Sequence, residues 1–295
     1  MKCLSIRPGS RNLLLLALAL SFLPATWAAT TIDAVNRYAY GANIGWLDAY
    51  ADGANGAVLG DNVCMGYLYA ANVGWIFLGN GAPLNGIQYG NASATDYGVN
   101  HDGFGHLSGY AYGANIGWIA FEATGAPKVD LRTGILSGYI WSANCGWISL
   151  SNSVAFVQTD SFWPGQLDSN GLPYWWELTH FGAIGINPNA DPDHDGMSNM
   201  QEYLAGTDPN NGLDYLHITA YGFGPGGTSV GLTWTSVLNR FYHISLTPSL
   251  SGGGIWSDSG LGLISPDGAT TMRTFFEISA PTRFYRVRAS RPLAP

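Results

Sequence analysis

Between residues 38 and 149 the chain alternates aromatic with small or aliphatic residues in short runs, each cut by Asn and Gly. Y-G-A-N-I-G-W occurs at Tyr40–Trp46 and again at Tyr112–Trp118, with Y-A-A-N-V-G-W ending at Trp75 and W-S-A-N-C-G-W ending at Trp147. Alternation with period two is the pattern of a β-strand whose successive side chains point to opposite faces. Tyr110 and Tyr112 therefore share one face, and Trp118, Ile119 and Phe121 continue the alternation beyond the break. Asn and Gly tolerate positive φ, so two strands around such a break predict a β-hairpin. The stretch from Lys128 to Leu136, with Thr133-Gly134 as a turn, adds a further strand. The expectation is an antiparallel β-meander repeat domain over 29–158, since units of this size bury a core only together.

The phrase-ending tryptophans stand 29, 43 and 29 residues apart. Trp46, Trp75, Trp118 and Trp147 admit two readings. They fill the core, with Asn43, Asn72, Asn115 and Asn144 as turn residues. Alternatively, they line a face that takes a polysaccharide or another cell-surface ligand. Tyr112 facing Trp118 across its hairpin is worth about 0.2–1 kcal/mol under either reading.

The helical pattern is confined to the middle of the chain. D-P-D-H-D-G-M-S-N-M-Q-E runs from Asp191 to Glu202 and meets every specified position of a twelve-residue calcium loop. Asp191, Asp193 and Asp195 take positions 1, 3 and 5, Gly196 the sharp turn, Met197 a backbone carbonyl and Glu202 the bidentate position. Three carboxylates in five residues repel unless a cation lies among them, and a hard divalent ion taking six to eight oxygens fits that need. A weaker loop lies upstream: with Gly171 as the turn glycine, Asp168, Asn170 and Glu177 fall at positions 3, 5 and 12, while Gln166 takes position 1 without a charge. L-P-Y-W-W-E-L-T-H-F predicts a short helix whose Trp175 and Trp176 pack on a neighbouring element.

The run from G-L-P-Y-W-W-E-L-T-H-F-G through N-P-N-A-D-P-D-H-D-G-M-S-N-M-Q-E-Y-L-A-G-T-D-P resembles a calcium module of secreted bacterial modular proteins, related to EF-hand and thrombospondin type 3 loops. The resemblance implies Ca2+ as cofactor, a helix carrying Glu202 and stopped at Gly206, and Asp208 as an extra ligand. It covers about 45 residues and sets a connector at 159–211. Lacking a Met-rich groove, the connector reads as structural rather than signalling. After it, S-V-G-L-T-W-T-S-V, R-F-Y-H-I-S-L-T and R-F-Y-R-V resemble, more loosely, a C-terminal domain of exported bacterial proteins. This implies a small β-sandwich over 212–295. The fold class expected is mainly β, with one short helical connector.

Composition narrows the function. Charged residues are 11% of 295, aromatics 13%, and Gly numbers 40, a turn-rich β balance rather than a disordered one. Lys2, Arg7 and Arg11 precede an apolar run, Leu13–Leu23, and small residues reach Ala28, which reads as a signal peptide over 1–28. Its removal takes three positive charges and moves the formal charge from -8 to -11. The expectation is a secreted, cell-surface or periplasmic protein, without membrane insertion after processing and without nucleic acid as partner. Cys64 and Cys145 either pair as a disulfide or stay as buried thiols. No H-E-x-x-H is present, and the His101, Asp102 and His106 stretch is a further loop able to hold a metal. The functional expectation is a non-enzymatic calcium-binding structural or adhesion-type protein. A carbohydrate-binding module is the first alternative, and a secreted hydrolase with distributed carboxylates the second.

Overall fold

The computed structural model describes residues 29–251, 255–276 and 283–294, so the signal-peptide expectation over 1–28 lies outside the described residues. Each phrase forms the turn of an antiparallel hairpin. The first joins β1 (Ile32–Gly41) to β2 (Gly45–Asp48). After a short β3 (Val58–Leu59), the second joins β4 (Cys64–Ala70) to β5 (Gly74–Asn80). β6 (Val99–His101) leads to the third, β7 (Leu107–Gly113) with β8 (Gly117–Phe121). A small ribbon, β9 (Lys128–Val129) with β10 (Leu136–Ser137), precedes the fourth, β11 (Tyr139–Ser142) with β12 (Gly146–Ser149). Neighbouring hairpins pair side by side, and β12 returns to β1, so the eight hairpin strands close into a barrel. β13 (Val157–Thr159) then pairs with β1 from outside the ring.

The pairing repeats from seam to seam. Gly113 stands opposite Ile76, Ser142 opposite Ile119, and Gly41 opposite Ile148 at the closing seam. An eight-stranded barrel has an interior just wide enough for side chains to fill. Leu47, Ile76, Ile119 and Ile148, each following a phrase tryptophan, form a fully buried ring inside it. Above them Ile44, Val73, Ile116 and Cys145 turn in from the hairpin turns. The inward position at the turn must be small: a Cβ on Gly41 would come within 2.9 Å of Ile44 and 3.2 Å of Ile148. The aromatic residues of the phrases take the outer face. Trp46, Trp75, Trp118 and Trp147 are 46, 44, 46 and 41% exposed, which corrects the core reading of these four side chains.

The disulfide alternative is corrected as well. Cys64 and Cys145 are both buried and free. Cys145 lies in the fourth turn, whereas Cys64 starts β4, six residues before the end of a strand that climbs toward the second turn. At about 3.3 Å per residue that separation puts the sulfurs near opposite ends of the barrel, far beyond disulfide reach.

The connector is a pair of short helices, α1 (Tyr174–Phe181) and α2 (Asn199–Ala205), packed through Leu172, Trp176 and Tyr203. Ser198 begins α2 with a full capping box to Gln201, and Gly206 ends it in the left-handed conformation. The chain then builds two three-stranded sheets. β14 (Ile218–Phe223), β15 (Ser229–Thr235) and β18 (Thr270–Phe276) form one. β16 (Phe241–Thr247), β17 (Ser257–Asp258) and β19 (Phe284–Ser290) form the other. Alternate residues Val230, Leu232 and Trp234 of β15 meet Tyr242 and Ile244 of β16 in a buried core. Among the described residues the fold is mainly β, with α1 and α2 in the middle.

Two arginines tie these parts together. Arg240 donates through Nε to the Leu204 carbonyl and through Nη2 to that of Tyr203, each at 2.9 Å, and so completes the end of α2. Arg291 pairs with Asp61 of the barrel at 2.5 Å, where both are largely buried.

Candidate metal centre and outer aromatic face

The loop before α2 is shaped by its own backbone donors. Gly196 N–H donates to Asp191 Oδ2 at 3.0 Å, and Met197 N–H to Asp195 Oδ1 at 2.7 Å. His194 (φ 64) and Gly196 (φ 96) both adopt left-handed backbone, which bends the chain tightly enough to aim successive carboxylates inward. His194 itself is exposed. Asp191, Asp193 and Asp195 each offer an oxygen, and these oxygens lie within 4.8 Å of one another.

The remaining oxygens decide what the cluster is suited to. Asp191 Oδ1, both oxygens of Asp193, Asp195 Oδ2 and Glu202 Oε2 are buried without a hydrogen-bond partner. Glu202 is fully buried. Its Oε1 accepts a long bond of 3.4 Å from the Thr207 hydroxyl. Burial, then the charges of Asp193 and Asp195, push the Glu202 carboxyl up to about 8. Burial, then Asp195, also raises Asp193. A carboxylate buried without a partner costs several kcal/mol in protein alone. A hard divalent cation among the three aspartates would offset that cost, and their oxygen donors fit calcium, although Glu202, like Asp208, is not gathered into the three-aspartate group.

Other expected ligands are placed differently. Asp208 is not gathered into the three-aspartate group. Its Oδ1 faces His180 Nδ1 at 3.3 Å and accepts the Asn210 N–H at 3.2 Å. In the upstream loop Asp168 Oδ1 accepts the Asn170 N–H, and Asn170 bonds Leu172 N–H and the Ile186 carbonyl. Glu177 is fully buried, with Oε1 accepting the Ile186 N–H at 2.7 Å. These bonds tie Asp168 and Asn170 to nearby backbone, while Glu177 Oε2 is buried without a hydrogen-bond partner. The His101, Asp102 and His106 stretch does not converge. His101 is buried, with Nδ1 at 2.9 Å from the Gly60 carbonyl and Nε2 accepting the Gly105 N–H. His106 instead pairs with Asp102 at the surface.

On the barrel's outer face each phrase tryptophan stands between two rings of its own hairpin. Trp46 lies 6.3 and 4.9 Å from Tyr38 and Tyr40, and Trp75 5.8 and 5.0 Å from Tyr67 and Tyr69. Trp118 is 6.1 and 5.0 Å from Tyr110 and Tyr112, and Trp147 6.3 and 5.0 Å from Tyr139 and Trp141. The sequence hid the use of the four turn asparagines. Asn72 Nδ2 donates to the Ile44 carbonyl, Asn115 to Val73, Asn144 to Ile116 and Asn43 to Cys145, at 3.0–3.1 Å. Each asparagine reaches the turn of the hairpin before it, so the four bonds run head to tail around the barrel mouth.

No protein-family model matches the chain, and neither does any curated protein or solved structure.

Proposed function

We propose that this is an exported, non-enzymatic structural or adhesion-type protein in which one calcium ion stiffens the connector between a β-barrel and a β-sandwich. The observation that carries the reading is the set of buried carboxylate oxygens of Asp191, Asp193, Asp195 and Glu202 that have no partner in the protein. When bound, the ion supplies charge neutralisation and fixed oxygen geometry, and the protein's side chains do the rest. Gly196 and Met197 amides hold Asp191 and Asp195 in place. Glu202 sits in the first turn of α2, so any ligand it holds also fixes that helix against the loop. Arg240 grips the other end of the same helix from the sandwich. Ordering the loop therefore orders the connector at both ends.

The test is calorimetric titration of Ca2+ into chelator-stripped protein. Near-stoichiometric heat that Glu202→Gln abolishes supports the reading. A flat trace with folded wild-type protein overturns it.

A further inference from the structure

The four aromatic trios are alike in geometry, yet one has been given walls. The spacing from Trp75 to Trp118 is 43 residues, where the other neighbouring tryptophans stand 29 apart. The longer connection includes the segment 81–98, which folds back beside the third hairpin. It brings Tyr97 to 4.8 Å from Trp118 and 6.4 Å from Tyr112 in edge-on contacts. It also places Asn91, Ala92, Ser93 and Ala94 opposite Tyr110 and Trp118, enclosing an open groove of about 470 Å3.

The loop is built to hold its shape. Asp96 accepts the Gly90 amide and the Leu84 amide. Asn91 (φ 54) accepts the Gly98 amide at 3.1 Å and donates to the Tyr89 carbonyl at 3.2 Å. Tyr89 is buried and anchored through its hydroxyl to the Gly81 amide. The wall is thus fixed before any ligand arrives, which spares the ordering cost of binding.

The chemistry of the lining narrows the occupant. Its floor is aromatic, with Trp118 46% and Tyr110 42% exposed. Its polar groups are hydroxyls and an amide from Tyr97, Tyr110, Ser93 and Asn91. No Lys, Arg, Asp, Glu or His lines it. An anionic or cationic ligand finds no counter-charge there, and the chain as a whole is acidic. A pyranose offers an apolar C–H face to an aromatic ring and neutral hydroxyl edges to amides and hydroxyls, and the volume lies in the ordinary range for a small-ligand site.

We propose that the groove between Trp118, Tyr110, Tyr97 and the 91–94 loop binds neutral oligosaccharide segments of a polysaccharide, and that the other three aromatic trios do not. This goes beyond the calcium reading and does not depend on it, because the groove is made wholly by the barrel.

The test is native affinity electrophoresis of the processed protein in gels containing a soluble β-glucan, a galactomannan or amylopectin, with alginate as a polyanionic control. Retardation by at least one neutral polymer is expected, and Trp118→Ala should weaken it roughly tenfold, the scale of losing a central aromatic contact. Trp46→Ala, on an unwalled trio, should leave it unchanged. Ala94→Arg, an exposed substitution that fills the groove without touching the core, guards against misfolding of the tryptophan variant and should also abolish retardation. Migration unaffected by all three neutral polymers, retardation by alginate alone, or equal loss in Trp118→Ala and Trp46→Ala overturns the proposal. Repeating the gel with chelator separates it from the calcium reading: retardation that survives calcium removal places the ligand site in the barrel, whereas retardation abolished by chelator overturns the assignment.

Discussion

Asn43 donates through Nδ2 to the carbonyl of Cys145 at 3.0 Å across 102 residues of sequence. It is the last of four equivalent bonds and the one that fastens the first hairpin to the fourth. Asn43→Ala should lower the unfolding free energy by about 0.5–1.5 kcal/mol, the net worth of one such bond. Asn115→Ala, at an internal seam, should cost the same within error. Urea denaturation of both variants checks this, and an unchanged midpoint in either would remove the asparagine ring from the account.

Calcium removal should destabilise the connector. At a free calcium concentration a hundredfold above its dissociation constant, a single site stabilises by about 2.7 kcal/mol. Excess chelator should therefore lower the melting temperature of wild type. Asp193→Asn, which removes one charge from the cluster, should melt lower in calcium and respond less to chelator. Differential scanning calorimetry reads both, and identical chelator responses would sink the prediction.

His101 should make the barrel acid-sensitive. Both ring nitrogens are occupied in the neutral form, one against the Gly60 carbonyl and the other accepting the Gly105 amide. Burial, the largest effect, lowers its pKa, and His106 adds to this, while the Gly60 carbonyl and the charges of Asp102 and Asp61 act the other way. A histidine whose folded value is depressed stabilises fully above about 6.5, its unfolded value, and that stability is lost as pH falls toward the folded value. Wild type should lose more stability between pH 7.5 and 5 than His101→Gln does, as read by urea midpoints at the two pH values.

Cys64 and Cys145 should resist alkylation in the native state. Burial pushes the Cys64 thiol up to about 12, leaving almost no thiolate at neutral pH. Iodoacetamide under native conditions should leave both residues unmodified, and both should label after denaturation without any reductant. Labelling that needs reductant would restore the disulfide.

The hairpins were legible in the sequence because everything that makes one lies within about ten residues: period-two alternation, then Asn, then Gly at positive φ before each tryptophan. Which face turns inward was not. Alternation defines two faces without choosing between them, so core and outer face stayed open for Trp46, Trp75, Trp118 and Trp147. The closed ring decides for the outer face, since an interior shared by eight strands has room for Ala39, Ala111, Gly41 and Leu47 but not for a dozen aromatic rings. Closure itself pairs β1 with β12, a relationship between distant residues that no local pattern encodes. The Asp191–Glu202 loop is contiguous, so its carboxylate spacing could be read directly. The groove beside Trp118 could not, although the anomalous 43-residue interval marked where it would be.

Four hairpins meeting through four matched bonds also fix the copy number of the phrase. A fifth would widen the circle and leave a hollow where Leu47, Ile76, Ile119 and Ile148 are now buried together. Three alone would crowd them. Duplication of this unit can thus proceed only by adding another complete circle, never by extending this one.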